Sequence, residues 1–102
     1  MAVWKSTAHL TRHFGLHGRE VRANSVDEYD ASAQDTLAVG RYFSYHDEDS
    51  GEARVGCYDR ATGRFVATTE ADEIVTHFIC PEWYVRGLLD SNFEDYEVCD
   101  GY

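Results

Sequence analysis

The sequence predicts an α+β domain in which two N-terminal helices pack on a four-stranded antiparallel sheet. Its 102 residues suit one domain with a single core, and 43% of them are hydrophobic, as in globular proteins. Apolar residues recur at helical spacing before Gly40, whereas short β-rich segments separated by polar turns follow it. Because elements of each type are grouped along the chain, the pattern favours the α+β class.

The first helix is expected at residues 3–16. Its apolar face is formed by four residues of that segment, Val3, Leu10, Phe14 and Leu16. Gly15 and Gly18 are natural places for this helix to end. The segment therefore begins the domain with one amphipathic helix.

The second helix is predicted from a start signal and a stop signal. Ser25 is followed three residues later by Glu28, which is the spacing of a capping box. Gly40 is a plausible C-terminal stop. Between these signals an apolar stripe runs at helical spacing through Val26, Tyr29, Ala33, Thr36 and Leu37.

Four short strands are predicted after Gly40. They are rich in β-forming residues and occupy residues 41–46, 53–58, 64–69 and 74–79. Polar turns separate them, which indicates an antiparallel meander. Pro81 ends the last strand, and a short helical turn at 81–89 is expected to pack Trp83 and Leu88 on the sheet.

The C-terminal segment is read as a tail. Residues 1–90 are predicted to form one domain, and residues 91–102 a solvated acidic tail without a basic residue. The alternative is that this acidic segment covers a basic cleft in the same molecule or in a neighbouring one. Removal of the tail is expected to leave the fold intact, because it offers few core candidates beyond Phe93 and Tyr96.

The charge distribution restricts the function classes. The formal net charge is −10, which argues against loose, sequence-blind binding of nucleic acid. Residues 1–22, however, carry four basic residues and one acidic residue, so this end has a net charge of +3. An anion is therefore expected to bind there. The chain has no apolar run of membrane-spanning length and no signal-peptide pattern, so a soluble cytoplasmic protein without a membrane partner is expected.

Three histidines occur at four-residue intervals in this basic end: His9, His13 and His17. On a helix they share one face, and the i, i+4 spacing lets two imidazoles bind one metal ion. A zinc site needs a further ligand, for which Cys80 and His77 are the candidates. The alternatives are a solvated stripe and a catalytic base with neighbours. No metal and no other cofactor are predicted.

An ordered series of motifs resembles a known class of toxins. The series reads HF-x-x-HG-x-E-V, a helix containing EY, a YD-x-ATG-x-F hairpin, and EI-V-T-H-F followed by a proline. The matching residues, between about 10 and 85, are His13, Phe14, His17, Gly18, Glu20, Glu28, Tyr29, Tyr58, Asp59, Ala61, Thr62, Gly63, Phe65, Ile74, Thr76, Phe78 and Pro81. Together they resemble bacterial and phage ribonuclease toxins of the barnase–EndoU–colicin–RelE class. That resemblance implies N-terminal helices followed by a four-stranded antiparallel sheet.

Metal-free RNA cleavage needs a base for the ribose 2′-hydroxyl, a donor or cation for the phosphate, and an acid for the leaving oxygen. Histidine suits the proton steps, because its ordinary pKa is about 6.5. His17 is the first candidate for the base, since it lies in the basic end, beside Gly18, where the resemblance places a histidine followed by glycine. His13 is a candidate for orienting His17 or contacting phosphate.

Further candidates complete the expected site. The resemblance gives Thr76 a phosphate-contacting role, whereas a core-facing β-former is its ordinary interpretation. Tyr84 is expected to donate a proton or stack on a base. Arg19 and Arg64 are the candidates for binding the phosphate, because arginine stays charged and presents a planar fork. His77 is expected on the opposite, solvent-exposed face of its strand.

The sequence indicates two candidate functions. The first is a metal-independent ribonuclease toxin-like domain acting on RNA such as tRNA, with a cognate immunity or antitoxin protein as its partner. The alternative is a non-catalytic protein that binds another protein, either an acidic immunity or antitoxin-like protein or a degenerate member of the toxin fold. The acidic balance favours the alternative, and the motif series favours the ribonuclease.

Overall fold

A computed structural model describes residues 2–91. Its elements, in chain order, are β1 (Val3–Trp4), α1 (Thr7–His17), α2 (Val26–Val39), β2 (Arg41–Asp47), β3 (Glu52–Asp59), β4 (Arg64–Thr69), β5 (Glu73–Ile79) and α3 (Glu82–Ser91). The strands form one sheet in the order β1-β5-β4-β3-β2, with β2 to β5 antiparallel. The predicted α+β class and the meander are confirmed. The predicted strand number is wrong, because a fifth strand is present.

The additional strand replaces the predicted start of the first helix. Val3 and Trp4 pair in parallel with Glu73 and Ile74 of β5, and the Lys5 amide donates to the Ile74 carbonyl at 2.9 Å. Val3 is therefore a strand residue and not part of an apolar helix face. The helix begins later because Ser6 is its N-cap and accepts a hydrogen bond from the His9 amide at 3.0 Å.

Helix α1 continues through Gly15 and ends at His17, so His17 lies at a helix terminus as predicted. Gly18 is the C-cap, and its amide donates to the Phe14 carbonyl at 2.8 Å. A Cβ atom at Gly18 would lie 2.7 Å from the Phe14 ring and carbonyl oxygen. Only glycine fits this close approach, and it lets the chain turn back beneath the last turn of the helix.

Helix α2 begins and ends at the residues that the sequence indicated. The Ser25 hydroxyl accepts from the Glu28 amide at 3.1 Å, while the Glu28 carboxylate accepts from the Asn24 amide at 3.0 Å. Gly40 is the C-cap. The buried face of α2 includes Ala33, which packs with Val66 and Ile74, so this helix covers one face of the sheet.

The opposite face of the sheet is covered by α3. Val85 and Leu89, which are 0% and 6% exposed, join a core cluster with Phe43 and Phe65. Leu88 packs at the margin of this cluster, as predicted, but Trp83 is 72% exposed and does not pack on the sheet. Because the amphipathic period of α3 turns Val85 and Leu89 inward, Trp83 lies on the outer side of the helix.

An irregularity in β5 decides which side chains share a face. Ala67 pairs with Thr76, but Thr68 pairs with Ile74, so Val75 is an additional residue on β5. Such a bulge interrupts the alternation of side chains. Thr76 was expected to share a face with Ile74 and Phe78; it shares one with Phe78, while Ile74 belongs to the α2 face.

The acidic tail lies, from residue 92 onward, outside the described residues, and the effect of its removal remains a prediction. Within residues 2–91, no helix has both the length and the apolar character needed to cross a membrane.

Candidate functional site

The three N-terminal histidines form a stack of rings along α1. The ring centroids of His9 and His13 are 5.6 Å apart, and those of His13 and His17 are 5.9 Å apart, with interplanar angles of 17° and 23°. The four-residue spacing places one ring above the next on a helix face. All three side chains are partly exposed, so the stack forms an open surface beside β5.

His17 is held by a carboxylate from the segment after α1. Its Nδ1 atom lies 2.6 Å from Oε1 of Glu20, and the two side chains are 27% and 37% exposed. The second oxygen of Glu20 accepts from the Ile79 amide of β5 at 3.0 Å. The carboxylate therefore connects the end of α1 to the outer edge of the sheet and orients the imidazole.

His13 is held by a hydroxyl from β5. Its Nδ1 atom is 3.1 Å from Oγ1 of Thr76. Burial, followed by the neighbouring His17 and His9, lowers the pKa of His13 to about 4. The ring is therefore neutral at pH 7 and takes one of its two neutral tautomers.

An aromatic contact links this stack to α3. The His17 ring lies 5.4 Å from the ring of Phe78, and Phe78 makes an edge contact with Tyr84 at 5.8 Å. Tyr84 is 38% exposed, and burial raises the pKa of its hydroxyl. Four predicted site residues thus converge: His13 and Thr76 touch directly, His17 stacks on His13, and Tyr84 approaches through Phe78.

The two predicted phosphate ligands are not brought into this cluster by any contact in residues 2–91. Arg19 is exposed in the connection between α1 and α2. Arg64 donates from Nη2 to the Val21 carbonyl at 3.2 Å, and its buried Nε atom has no hydrogen-bond partner among the described residues. Part of the Arg64 guanidinium is therefore used to attach β4 to the α1–α2 connection.

The geometry of residues 2–91 does not support a metal site on the histidine stack. Within residues 2–91, no three His, Cys, Asp or Glu side chains converge as ligands would. Cys80 is buried, and burial raises the pKa of its thiol to about 12, so it is a poor source of thiolate.

The expectation that His77 is exposed is wrong. The residue is 0% exposed beneath α2, and burial lowers its pKa to about 4. Its Nδ1 lies 3.0 Å from the Phe65 carbonyl oxygen, and its Nε2 lies 2.8 Å from the Ser32 hydroxyl. Tyr29 donates to the His77 carbonyl. Because both ring nitrogens have partners inside the core, His77 is a structural residue.

Glu20 and Phe78 were not assigned as site residues from the sequence. For Glu20 a signal was present: it lies three residues after His17, a spacing that brings helical neighbours together. For Phe78 no local signal exists, because its contact with His17 depends on how β5 lies against α1.

The candidate site is an open surface rather than a cavity. Two cavities of about 460 and 290 Å³ are both lined by Ala2 and Gln34, and none of their described lining residues is a histidine. No protein-family model, curated protein or solved structure significantly matches the chain.

Proposed function

We propose that this chain is a metal-independent ribonuclease-like domain whose site lies on the histidine stack. One observation carries the proposal: two stacked imidazoles, His13 and His17, are each held at Nδ1 by a second side chain. Side chains fixed in this way supply acid–base and hydrogen-bonding groups without reorganisation during the reaction.

His17 serves as the general base. Glu20 accepts a hydrogen bond from Nδ1–H of His17 at 2.6 Å, which leaves the Nε2 lone pair available for a proton. Nε2 removes the proton of a ribose 2′-hydroxyl, and the 2′-oxygen forms a bond to phosphorus. The carboxylate then stabilises the imidazolium that results, as an orienting acid does for a catalytic histidine.

Thr76 serves as the phosphate contact, and His13 sets its orientation. The low pKa of His13 keeps the ring neutral. In the tautomer with hydrogen on Nδ1, His13 donates to the Thr76 oxygen, so the Thr76 hydroxyl hydrogen is available to a phosphate oxygen. A donor placed there stabilises charge that develops on the phosphate in the transition state.

Tyr84 serves as the proton donor to the leaving 5′-oxygen. A tyrosine hydroxyl is protonated at neutral pH, and burial raises the pKa of Tyr84 further. As the bond between phosphorus and the 5′-oxygen breaks, that oxygen takes the proton from Tyr84, and the products are a 2′,3′-cyclic phosphate and a 5′-hydroxyl. Arg19 supplies positive charge at the basic end of the chain and aids phosphate binding.

Cleavage of tRNA in excess EDTA tests this proposal. His17→Ala is expected to lower the rate by about a hundredfold or more, the loss typical of a general acid or base. The matched control is His9→Ala, which removes another ring of the same stack. Among the described residues, His9 makes no contact with β5, so this variant is expected to cleave tRNA nearly as well as wild type. Equal cleavage by wild type and folded His17→Ala would refute the assigned role.

Glu20→Gln tests the orienting carboxylate separately. Glutamine keeps an oxygen for the Ile79 amide but loses the negative charge beside His17. We expect kcat to fall by about a hundredfold or more with little change in KM, because the glutamine NH2 group then faces Nδ1 and favours the His17 tautomer with hydrogen on Nε2, which cannot accept a proton there. A change confined to KM would assign Glu20 to substrate binding instead.

The second candidate function, a non-catalytic protein that binds another protein, is favoured by the net charge of −10. It predicts that the folded wild-type chain leaves tRNA intact under all conditions of the same assay. Cleavage that depends on His17 would exclude it.

A further inference from the structure

The connection between α1 and α2, residues 18–25, carries the carboxylate that orients His17. Helix α1 ends at His17, so Glu20 lies beyond its last residue. Within the connection, the Ala23 amide donates to the Gly18 carbonyl at 2.8 Å, which closes a tight turn around Glu20. The turn has a defined shape of its own, but contacts outside it must fix its position relative to β5.

One cross-strand pair attaches this turn to the sheet at two points. Arg64 of β4 lies opposite Ile79 of β5 in the antiparallel register. The Ile79 amide donates to Oε2 of Glu20 at 3.0 Å, and Nη2 of Arg64 donates to the Val21 carbonyl at 3.2 Å. Because Glu20 and Val21 are consecutive residues, the position of the Glu20 side chain depends on both contacts.

The Val21 carbonyl belongs to a strained part of the backbone. It lies in the peptide that joins Val21 to Arg22, and Arg22 has a φ of 62°, in the left-handed region that residues other than glycine rarely adopt. Such a conformation persists only where neighbouring contacts hold it. The Val21 side chain is 2% exposed and packs with Tyr29, and Arg64 holds the carbonyl of the same residue. Removal of the Arg64 donor would therefore let this peptide relax.

Small movements of the turn are expected to matter at His17. Oε1 of Glu20 lies 2.6 Å from Nδ1 of His17, and the two side chains are partly exposed. A short hydrogen bond depends steeply on distance and angle, and water is able to replace the carboxylate once it moves. Without Glu20 as its acceptor, Nδ1–H loses its advantage, and the ring takes its Nε2–H tautomer more often.

We propose that Arg64 is a positioning residue of the histidine site: by holding the Val21 carbonyl, it places Glu20 against His17 and sets the tautomer of that ring. The inference rests on the proposed function, because the Nδ1–H tautomer is the one whose Nε2 atom accepts a proton from the substrate. It assigns Arg64 a task other than binding phosphate. The Nε atom of Arg64 is buried, so this part of the guanidinium is not presented to an anion in solution.

The tautomer is measured directly, and without RNA, by long-range 1H–15N NMR spectra of the histidine-labelled protein at mildly alkaline pH. Wild type is expected to show His17 mainly in the Nδ1–H form. Arg64→Met keeps the aliphatic part of the side chain but has no donor for Val21, and its His17 signals are expected to shift toward the Nε2–H form. His13 is the internal control, because its partner Thr76 lies on β5 and not in the turn.

Further variants show whether Arg64 acts through Glu20. Glu20→Ala is expected to cause the same shift of His17, and the double variant Arg64→Met/Glu20→Ala no further shift, because Arg64 then has no carboxylate to position. Arg41→Met is the matched control, since it removes the same charge from an exposed position on β2 and is expected to leave His17 unchanged. If Arg64→Met does not fold, Arg64→Gln takes its place, because its amide is too short to reach the Val21 carbonyl.

Cleavage of tRNA provides a second measurement. Arg64→Met is expected to lower kcat by about tenfold or more with an unchanged KM, because a base in the wrong tautomer impairs the chemical step and not substrate binding. A raised KM, with kcat and the His17 tautomer unchanged, would make Arg64 a phosphate ligand and overturn the proposal.

The positioning role and the proposed function fail separately. An unchanged His17 tautomer in a folded Arg64 variant, or a further shift in the double variant, would overturn the positioning role even if tRNA is cleaved. A wild-type chain that leaves tRNA intact, but shows the Nδ1–H form of His17 and its loss in Arg64→Met, would refute only the ribonuclease.

Discussion

Histidines on the two sides of β5 lie in different surroundings, although the sequence alone does not distinguish them. Beneath α2, His77 is sealed from water, and both of its ring nitrogens contact groups of the core. Beside α1, His13 and His17 are partly exposed, and each has one ring nitrogen contacted by a neighbouring side chain. A histidine with two internal partners stabilises the fold, whereas one with an available nitrogen is able to exchange protons with a substrate.

The pKa of a histidine does not by itself separate these two cases. Both His13 and His77 have a pKa lowered to about 4, and burial is the largest cause for each. What differs is access: one ring faces an open surface and the other faces the core. A perturbed pKa therefore indicates function only when the group can also be reached.

The largest contrast is expected in stability. His77→Ala would leave the Ser32 hydroxyl and the Phe65 carbonyl without their partner and would create a cavity, so the free energy of unfolding should fall by about 3 kcal/mol or more. His17→Ala removes a partly exposed ring and should cost about 1 kcal/mol or less. Urea denaturation of both variants measures the difference, and equal losses would remove the distinction between the two regions.

The pH dependence of stability sharpens the same comparison. In the unfolded chain His77 binds a proton near pH 6.5, but in the folded protein it does so only near pH 4. The contribution of His77 to the free energy of unfolding is therefore fully present above pH 6.5. It decreases by on the order of 3 kcal/mol as the pH falls toward 4. Below pH 4 both states are protonated and this contribution no longer changes.

The control for this prediction is His77→Gln, whose amide still offers polar atoms to Ser32 and Phe65. Urea titrations between pH 7 and 4 should show a smaller slope in this variant, with the remaining dependence arising from His13. A slope identical to that of wild type would show that His77 does not titrate as the structure indicates.

The smallest expected effect concerns the two helix caps. Ser25→Ala should lower global stability by about 1 kcal/mol, because α2 buries four residues against the sheet. Ser6→Ala removes the corresponding cap of α1, a helix without a fully buried residue. We expect it to increase amide hydrogen exchange within α1 more than it changes global unfolding. Equal global losses would show that α1 unfolds together with α2.

Several features determined by neighbouring residues were predicted correctly. The start of α2 depends on Ser25 and Glu28, its end depends on Gly40, and β4 was predicted at residues 64–69 from β-forming residues between turns. Each of these signals acts over a few positions. They were therefore visible without knowledge of the tertiary fold.

Features determined by distant partners were not predicted. The pairing of Val3 with Glu73 makes a strand of a segment whose local pattern was helical. The bulge at Val75 moves Ile74 to the face on which His77 lies, which strict alternation cannot anticipate. Trp83 was expected to pack on the sheet, but the helical phase that turns Val85 and Leu89 inward places it on the outer side of α3.

The candidate site shows the same difference between features set by neighbouring residues and features set by the tertiary fold. His13, His17 and Thr76 were named from the motif series, but their mutual contact spans β5 and α1 and was established only by the tertiary fold. Arg64 was expected to bind phosphate, yet its Nη2 atom binds the Val21 carbonyl. A single sequence identifies residue types suited to the chemistry. It does not show which of these side chains already bind another group of the protein.

The two oxygens of Glu20 restrict how this protein can evolve. One orients His17, and the other covers the Ile79 amide, a donor on the strand edge beyond the two residues of β1. Uncovered strand edges recruit other chains into aggregates. A mutation that removes the side-chain oxygens of Glu20, such as Glu20→Ala, would therefore expose the Ile79 amide as well, whereas His17→Ala would leave it covered. If the proposed activity were lost under selection, we expect changes at His17 and retention of Glu20 in descendants that stay folded and do not aggregate.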